Sequence, residues 1–451
     1  MVREWHNTDG KTITAGYLGV EAGNVVLKMP DGRIVKIALV KLAVADNEFV
    51  KSHLIEYHEV WRAWPLDARI GIASIDVRES RDAAGGFVYE TFHFRFRTDV
   101  DLGTSLMKDL ARVFELTHYL HSKSPFGILA KPEHDLFEAK LFGRLKDYQA
   151  AGGLPGTAGV YIRKRKVFLA PLEVMGVRAA AGGWKIVSRE DYDTSTVVHE
   201  LTHMLTHDML DNLPLWVNEG FADYIAGIPI EGNAFQVSDE KIKEGIQNRF
   251  VRDFERAITR RGAPIVKIKA SQRQAFLTSG KIPPLFRVAR VLQMTDATWA
   301  AGGKARAPGT GPMSPPDQNQ MASLYRTAHL IIYYFIQIEG ERGVTKIRRF
   351  LDENRKQMAR YREYVENLAL YQKQMAEFMR LPGVIKLEDG RIQYPSRLTP
   401  PKAPEGPFTD PNKVKLGGLP ILLDGESAEV VGKRIETALI RNLAINLRFI
   451  E

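Results

Sequence analysis

The segment 194–205 is the most informative part of the chain for predicting its structure. It reads TSTVVHELTHML and contains neither glycine nor proline. Such a run favours a helix, and Asp193 or Thr194 is a suitable residue to cap its start. Four residues turn a helix by about 400°, so His199 and His203 are expected on one face, about 6 Å apart along the axis. Both imidazoles can then reach the same metal ion.

The amino-acid composition limits the chemistry that this helix can support, because the chain of 451 residues contains no cysteine. A disulfide framework, a thiolate metal site and thiol catalysis are therefore excluded. Any metal must be held by histidine and carboxylate. Glu200 lies one position round the helix from His199, close enough to accept a proton from water at the ion but poorly placed to be a ligand. The spacing thus supplies two ligands and a base.

A third ligand must come from farther along the chain. The metzincin pattern would place a histidine at position 209, where this chain has Met209, so that class is excluded. The segment 215–224 reads LWVNEGFADY and follows a break at Pro214, which indicates a second helix. Its Glu219 lies 16 residues after His203, far enough for the chain to turn and run back alongside the first helix. Two histidines, one glutamate and an open fourth position are typical of a catalytic zinc site.

HELTH followed by WVNEGFADY resembles the gluzincin metallopeptidases. The NEGFA run is similar to the signature of M1 aminopeptidases, although the intervening loop is shorter here, and the short connection is closer to the peptidase MA-like gluzincins of exported bacterial proteins. This resemblance implies that His199, His203 and Glu219 bind Zn²⁺ and that Glu200 is the general base and acid. Asp223 matches the position where gluzincins often place a carboxylate that orients a zinc histidine.

A further match starts at Tyr325, in the run YRTAHLIIYY. It resembles the M1 stretch Tyr-x-x-Gly followed by an apolar helix, although Ala328 replaces the glycine. The resemblance implies that Tyr325 donates a hydrogen bond to the oxyanion of the tetrahedral intermediate. The alternative is a core tyrosine on an amphipathic helix.

The expected substrate is a peptide or protein. The Gly-x-Met-Glu-Asn element, with which M1 enzymes bind a free amino terminus, is missing, so an endopeptidase is expected rather than an aminopeptidase. The basic hairpin at 159–169 lies where gluzincins place the edge strand that pairs with an extended peptide, and it is equally compatible with an ordinary sheet edge.

The first residues predict short strands. Residues 25–27 (Val-Val-Leu) and 33–35 (Arg-Ile-Val) flank Pro-Asp-Gly at 30–32, which is typical of a hairpin. Residues 1–56 are expected to form a small β-barrel and resemble the Sla1-homology (SHD1) module, which is SH3-like. The resemblance implies docking to a protein or cell-envelope partner, and the alternative is a barrel that only packs on its neighbour. It is carried by Arg3-Glu4-Trp5, Asp9-Gly10-Lys11, the hairpin, Val40-Lys41-Leu42 and Asp46.

The chain exceeds the about 250–300 residues at which single cores stop growing, so several domains are expected. We predict an α+β protein with an SH3-like barrel at 1–56, a gluzincin (thermolysin-like) domain of mixed sheet and helices at 57–380, and a proline-rich connector with a terminal helix at 381–451. Within these parts the patterns predict one strand at 87–96, a helix after Asp99 or Asp101, a loop at 300–320, helices over 321–380 that break near Gly340 and Gly343, and a helix around 427–446.

The net charge and the hydropathy pattern limit the classes of molecule that the chain is expected to bind. The net charge is +9, but the basic runs are interleaved with acidic and apolar residues, which does not favour nucleic-acid binding. No apolar run is long enough to cross a bilayer, and the first residues lack the apolar stretch of a secretory signal. The family resemblance nevertheless implies a protein that is exported, with its signal peptide absent from this chain. A zinc-binding scaffold that recruits a partner through the barrel is the alternative function; the intact Glu200 favours the hydrolase.

Overall fold

The structure is a computed structural model, and it describes residues 2–21, 23–31, 33–53, 68–154, 157, 159–186, 194–210, 212–259, 266–302, 318–387, 391–406 and 411–450. The protein is of the α+β class, with helices and several separate sheets. Its contacts divide the chain into two compact units, Met1–Arg62 and Ala63–Glu451. The predicted boundary at 56/57 lies outside the described residues.

The first unit is an antiparallel sheet followed by a helix. Its strands are β1 (Val2–His6), β2 (Thr12–Glu21), β3 (Asn24–Lys28) and β4 (Ile34–Ala38), in that spatial order, and the helix is α1 (Val44–Ser52). The predicted hairpin is confirmed, since β3 and β4 pair with Lys28 opposite Ile34. Trp5 is the centre of the core, and its indole N–H donates to the Ala15 carbonyl at 3.0 Å.

The predicted closed barrel is wrong for the part of this unit that the structure describes. After β4 the chain forms a 3-10 turn (Leu39–Lys41) and then the helix α1. Between the turn and α1, Leu42 makes a single isolated bridge to Asn7, the residue after β1, rather than a full strand pair. Val50 of α1 is part of the buried core of this unit, so a helix covers a side of the core on which a closed barrel would have strands. The docking role that the Sla1-homology resemblance implies stays a prediction.

The second unit contains a six-stranded sheet in the order β10-β11-β9-β8-β7-β6. The two pairs around β9 are parallel and the other pairs are antiparallel. Its strands are β6 (Arg78–Arg81), β7 (Phe87–Glu90), β8 (Phe94–Thr98), β9 (Phe137–Phe142), β10 (Val160–Ile162) and β11 (Val167–Pro171). The remaining strands are short: β5 (Ala68–Arg69), β12 (Val177–Ala180), β13 (Gly183–Ile186), β14 (Ile230–Glu231), β15 (Ala234–Phe235), β16 (Leu285–Phe286), β17 (Ile385–Lys386), β18 (Ile392–Gln393) and β19 (Phe449–Ile450).

The segment 87–96 is a hairpin rather than the single strand predicted from its alternating pattern. The chain turns at residues 91–93, where the Thr91 amide donates to the Phe94 carbonyl at 2.8 Å. The Thr91 hydroxyl donates to the buried Glu115 at 2.7 Å, and Phe92 is left 84% exposed. A long-range hydrogen bond therefore stabilises a turn that alternation of apolar and polar residues cannot reveal.

Helices contain more residues than strands do in the described part of the second unit. They are α2 (Gly103–Ser122), α3 (Leu145–Ala150), α4 (Thr194–Leu210), α5 (Leu215–Gly227), α6 (Asp239–Ile258), α7 (Arg273–Thr278), α8 (Val288–Leu292), α9 (Asp296–Ala300), α10 (Gln318–Tyr333), α11 (Glu341–Phe378), α12 (Pro411–Leu416), α13 (Leu419–Leu422) and α14 (Ala428–Leu443). The predicted helices are found as α2, α4, α5, α10, α11 and α14. Most of the predicted 300–320 loop lies outside the described residues.

The break between α10 and α11 falls at Gly340, whose φ of 59° is left-handed, and a π-helical turn (Tyr334–Ile338) precedes it. Gly343 lies inside α11, so the second predicted break is wrong. A Cβ there would lie 1.8 Å from the Phe335 carbonyl oxygen, so this glycine permits a close approach of the backbone.

Residues 381–451 contribute to the second unit. Helix α14 packs against α8, and β19 pairs in parallel with β16, with Leu285 opposite Phe449. Across the described residues, no helix combines the length and the apolar character that crossing a membrane requires.

Candidate metal centre

Helices α4 and α5 pack against each other and bring three side chains together. His199 Nε2 lies 3.1 Å from His203 Nε2, and Glu219 Oε2 lies 3.3 Å and 3.4 Å from these two nitrogens. The exposed fractions of the three side chains are 14%, 10% and 13%, so the group is buried but not sealed. Among the described residues this is the group whose ligand atoms lie close enough to hold one metal ion.

Both imidazoles are oriented through their other nitrogen. His199 Nδ1 lies 2.9 Å from Asp223 Oδ1, and His203 Nδ1 lies 3.1 Å from Asn218 Oδ1. A carboxylate and an amide oxygen accept hydrogen bonds, so each Nδ1 is the donor. The neutral rings then direct the lone pair of Nε2 toward Glu219. Two such lone pairs and a carboxylate oxygen repel one another unless a cation or a proton lies between them.

The electrostatics of the group agree with that requirement. Burial lowers the pKa of His199, but hydrogen bonds to Asp223 and Glu219 outweigh it and raise the pKa to about 10. Burial acts to raise the pKa of Glu219, and the charges and hydrogen bonds of His203 and His199 hold it well below its usual range. The metal-free centre therefore retains a proton on an imidazole, and a bound cation would take its place.

Tyr325 lies beside this group, on α10. Its ring centre is 6.3 Å from that of His199, and its hydroxyl interacts with the Glu219 carboxylate. Burial, followed by the negative charges of Glu219, Asp223 and Glu200, raises the pKa of Tyr325 above its usual value. The phenol is therefore protonated at neutral pH and able to donate a hydrogen bond. The side chain is half-buried at the centre rather than enclosed in the core.

A glycine lets α10 approach α5 closely enough to place Tyr325. A Cβ on Gly220 would lie 2.7 Å from the carbonyl oxygen of Ala328, too close for any side chain without a backbone shift. Glycine inside a helix is less favourable than alanine by about 1 kcal/mol, so its position next to Glu219 has a packing reason. Ala328, which departs from the resembling family, faces this glycine.

Glu200 points to the edge strand of the large sheet. Its Oε2 accepts a hydrogen bond from the Tyr161 amide at 2.8 Å. Tyr161 is the middle residue of β10, the last strand in the order of this sheet among the described residues, and this N–H points to the side of β10 opposite β11. The predicted edge hairpin is thus confirmed, and it lies directly beside the predicted base.

Other residues that the sequence singled out lie outside the group. His207 Nδ1 donates to the Met204 carbonyl at 2.9 Å, so this nitrogen is turned away from the group. Trp216 and Tyr224, which flank Glu219 along the chain, are 1% and 0% exposed and pack in the core.

Three further histidines lie on or beside α2, and one of them contacts the buried Glu115 of that helix. Glu115 Oε2 lies 2.6 Å from His93 Nδ1, and the His118 ring stacks on the His93 ring. His121 Nε2 lies 3.3 Å from the Thr202 hydroxyl, and burial lowers the pKa of His121 to about 3. His118 and His121 are core residues and His93 is half-buried.

Two residues with a clear place in the centre were missed by the sequence analysis. Asn218 immediately precedes Glu219, and a polar residue next to a candidate ligand could have indicated a side chain that orients one of the histidines. Arg249 of α6 donates to Asp223 Oδ2 at 2.8 Å. No local signal distinguishes it, because α6 contains many charged residues and Arg249 reaches the site only through helix packing.

No known protein family, no curated protein and no solved structure matches this chain.

Proposed function

We propose that the protein is a zinc-dependent metallopeptidase, and that His199, His203 and Glu219 are its zinc ligands. The observation that carries the proposal is their spacing. The ligand atoms of a tetrahedral site with bonds of about 2.0–2.1 Å lie about 3.3–3.4 Å apart. The separations in this centre are 3.1, 3.3 and 3.4 Å. A His₂Glu set with one remaining position is the composition of catalytic zinc sites rather than structural ones.

The side chains around the ligands supply the other catalytic functions. Zn²⁺ bound there would act as a Lewis acid on a carbonyl oxygen and lower the pKa of a water molecule. Glu200 accepts the proton of the attacking water and delivers it to the leaving amine. Tyr325, protonated and beside Glu219, donates to the oxyanion that forms at the carbonyl. Asp223 and Asn218 hold the two imidazoles with Nε2 toward the ion.

The position of β10 supports a peptide substrate. An extended peptide can add to the unpaired side of an edge strand by main-chain hydrogen bonds. On that side the Tyr161 amide is 2.8 Å from Glu200, so a strand added there would pass the general base. Such pairing does not require a chain terminus, which favours an endopeptidase.

Removal of the metal tests this proposal. Treatment with a zinc chelator, followed by dialysis, should abolish hydrolysis of casein, and stoichiometric Zn²⁺ should restore it. We also expect the metal-free protein to unfold at a lower temperature, because a metal ion that binds the folded chain and not the unfolded one stabilises the fold. Undiminished hydrolysis by protein shown to be metal-free would contradict the proposal. Zinc that stabilises the fold without hydrolysis would favour the scaffold.

The Tyr325→Phe variant tests the oxyanion role. We expect kcat to fall about 10²–10³-fold, as for the loss of one oxyanion donor, with zinc content and KM little changed. Tyr224→Phe is the matched control, since its hydroxyl is bonded to Gln337 at 2.7 Å, away from the ligands. If Tyr325→Phe lowers the unfolding temperature but leaves kcat at the wild-type value, Tyr325 is a packing residue.

A further inference from the structure

Asp223 is fully engaged on both carboxylate oxygens. It is 2% exposed, and its Oδ1 lies 2.9 Å from His199 Nδ1 while its Oδ2 accepts a hydrogen bond from Arg249 Nη2 at 2.8 Å. A carboxylate held on one oxygen alone can rotate about its Cβ–Cγ bond. The hydrogen bond from Arg249 removes that freedom, so Arg249 sets the direction in which Asp223 Oδ1 faces His199.

Arg249 is itself held in place by the packing of α6. A Cβ on Gly245 would lie 2.2 Å from the carbonyl oxygen of Gly227, so the backbone of α6 directly contacts the end of α5. One turn beyond Arg249, Asp253 accepts a hydrogen bond from Arg326 Nε at 2.8 Å. Arg326 follows Tyr325 on α10. Helix α6 is therefore tied to the helix of Glu219 and to the helix of Tyr325.

We propose that Arg249 is a positioning residue for the metal centre, acting through Asp223 on His199. This inference deepens the proposed function, because it assumes that His199 is a metal ligand. Without the guanidinium, Asp223 Oδ2 would be left buried without this donor, and the carboxylate would turn toward another one at the expense of His199. The imidazole would then lose the partner that keeps its Nε2 directed at the ion. Outer partners of metal ligands typically contribute about 10–100-fold in metal affinity.

The test measures zinc affinity rather than activity. Arg249→Met, compared with wild type by competition with a chromogenic chelator, should bind Zn²⁺ about 10–100-fold more weakly. Arg249→Lys keeps a cation but not the planar fork, so an intermediate affinity is expected. The visible absorption spectrum of the Co²⁺-substituted protein should change in Arg249→Met, because the ligand field depends on how His199 is oriented.

Two control variants separate this role from the general packing of α6. Lys243→Met removes a partly exposed ion pair with Asp239, whose N–O distance is 2.7 Å, on the same helix. Asp253→Asn weakens the link between α6 and α10 but leaves the hydrogen bond between Arg249 and Asp223 intact. Lys243→Met should keep the wild-type zinc affinity and cobalt spectrum, and Asp253→Asn should lose much less affinity than Arg249→Met.

Wild-type affinity and spectrum in Arg249→Met would overturn the inference, and so would an equal loss in Asp253→Asn. If Arg249→Met does not fold, Arg249→Lys is measured in the same way. Wild-type zinc affinity in Arg249→Lys would then contradict a role for the planar guanidinium group. A wild-type protein that binds zinc but hydrolyses no peptide would refute the peptidase and leave the role of Arg249 standing. A wild-type protein without zinc affinity would overturn both.

Discussion

Glu200→Gln should lower the rate of casein hydrolysis by about 10²–10⁴-fold, the usual contribution of a general base, while zinc stays bound. The amide has nearly the same shape as the carboxylate but cannot take a proton from water. Its oxygen can still accept the hydrogen bond that the Tyr161 amide now donates to Glu200. The substitution therefore removes the chemistry and preserves the local geometry. The measurement is the initial rate of hydrolysis together with zinc content by elemental analysis.

Glu231→Gln is the control for this substitution. Glu231 is exposed and pairs with Lys241 at 2.8 Å, so its variant should hydrolyse casein at the wild-type rate. Wild-type hydrolysis by Glu200→Gln would show that another group accepts the proton. Reduced hydrolysis accompanied by lost zinc would mean that Glu200 supports the metal rather than the reaction.

His203→Ala should lose the metal. The substitution removes one of three protein ligands, so zinc affinity is expected to fall by more than the about 10–100-fold typical of an outer partner. It also leaves Asn218, which is 1% exposed, without the imidazole at 3.1 Å. After dialysis the variant should contain almost no zinc, and casein hydrolysis should be lost with it. Elemental analysis and the hydrolysis rate measure the two effects separately.

His207→Ala is the matched control, because His207 lies one turn farther along α4, is equally buried and is outside the ligand group. It should retain stoichiometric zinc. Unchanged zinc content in His203→Ala would remove His203 from the centre, and with it the His₂Glu arrangement on which the peptidase proposal rests.

Much of the centre was predictable because it depends on local helix geometry. A spacing of four residues on α4 makes His199 and His203 neighbours whatever the rest of the chain does. Pro214 marks the start of the next helix, and the short connection makes an antiparallel return of Glu219 and Asp223 the simplest arrangement. The resemblance to the gluzincins pointed to Tyr325, and the structure places Tyr325 beside Glu219.

The errors lie where distant parts of the chain meet. The alternating pattern at 87–96 cannot indicate that Glu115, on a later helix, accepts the Thr91 hydroxyl and stabilises a turn. The hairpin of β3 and β4 was predicted correctly, but closure of the first sheet into a barrel depends on which segment covers the core. In the described residues α1 takes that place through Val50.

The amino-acid sequence by itself determined the proposed ligands, the proposed base and the helices that present them, because helical periodicity is a property of neighbouring residues. Only the tertiary structure decided which residues support them. Asn218, Arg249 and Gly220 act through contacts across helix interfaces, and such contacts depend on the packing of α4, α5, α6 and α10 rather than on any spacing along the chain.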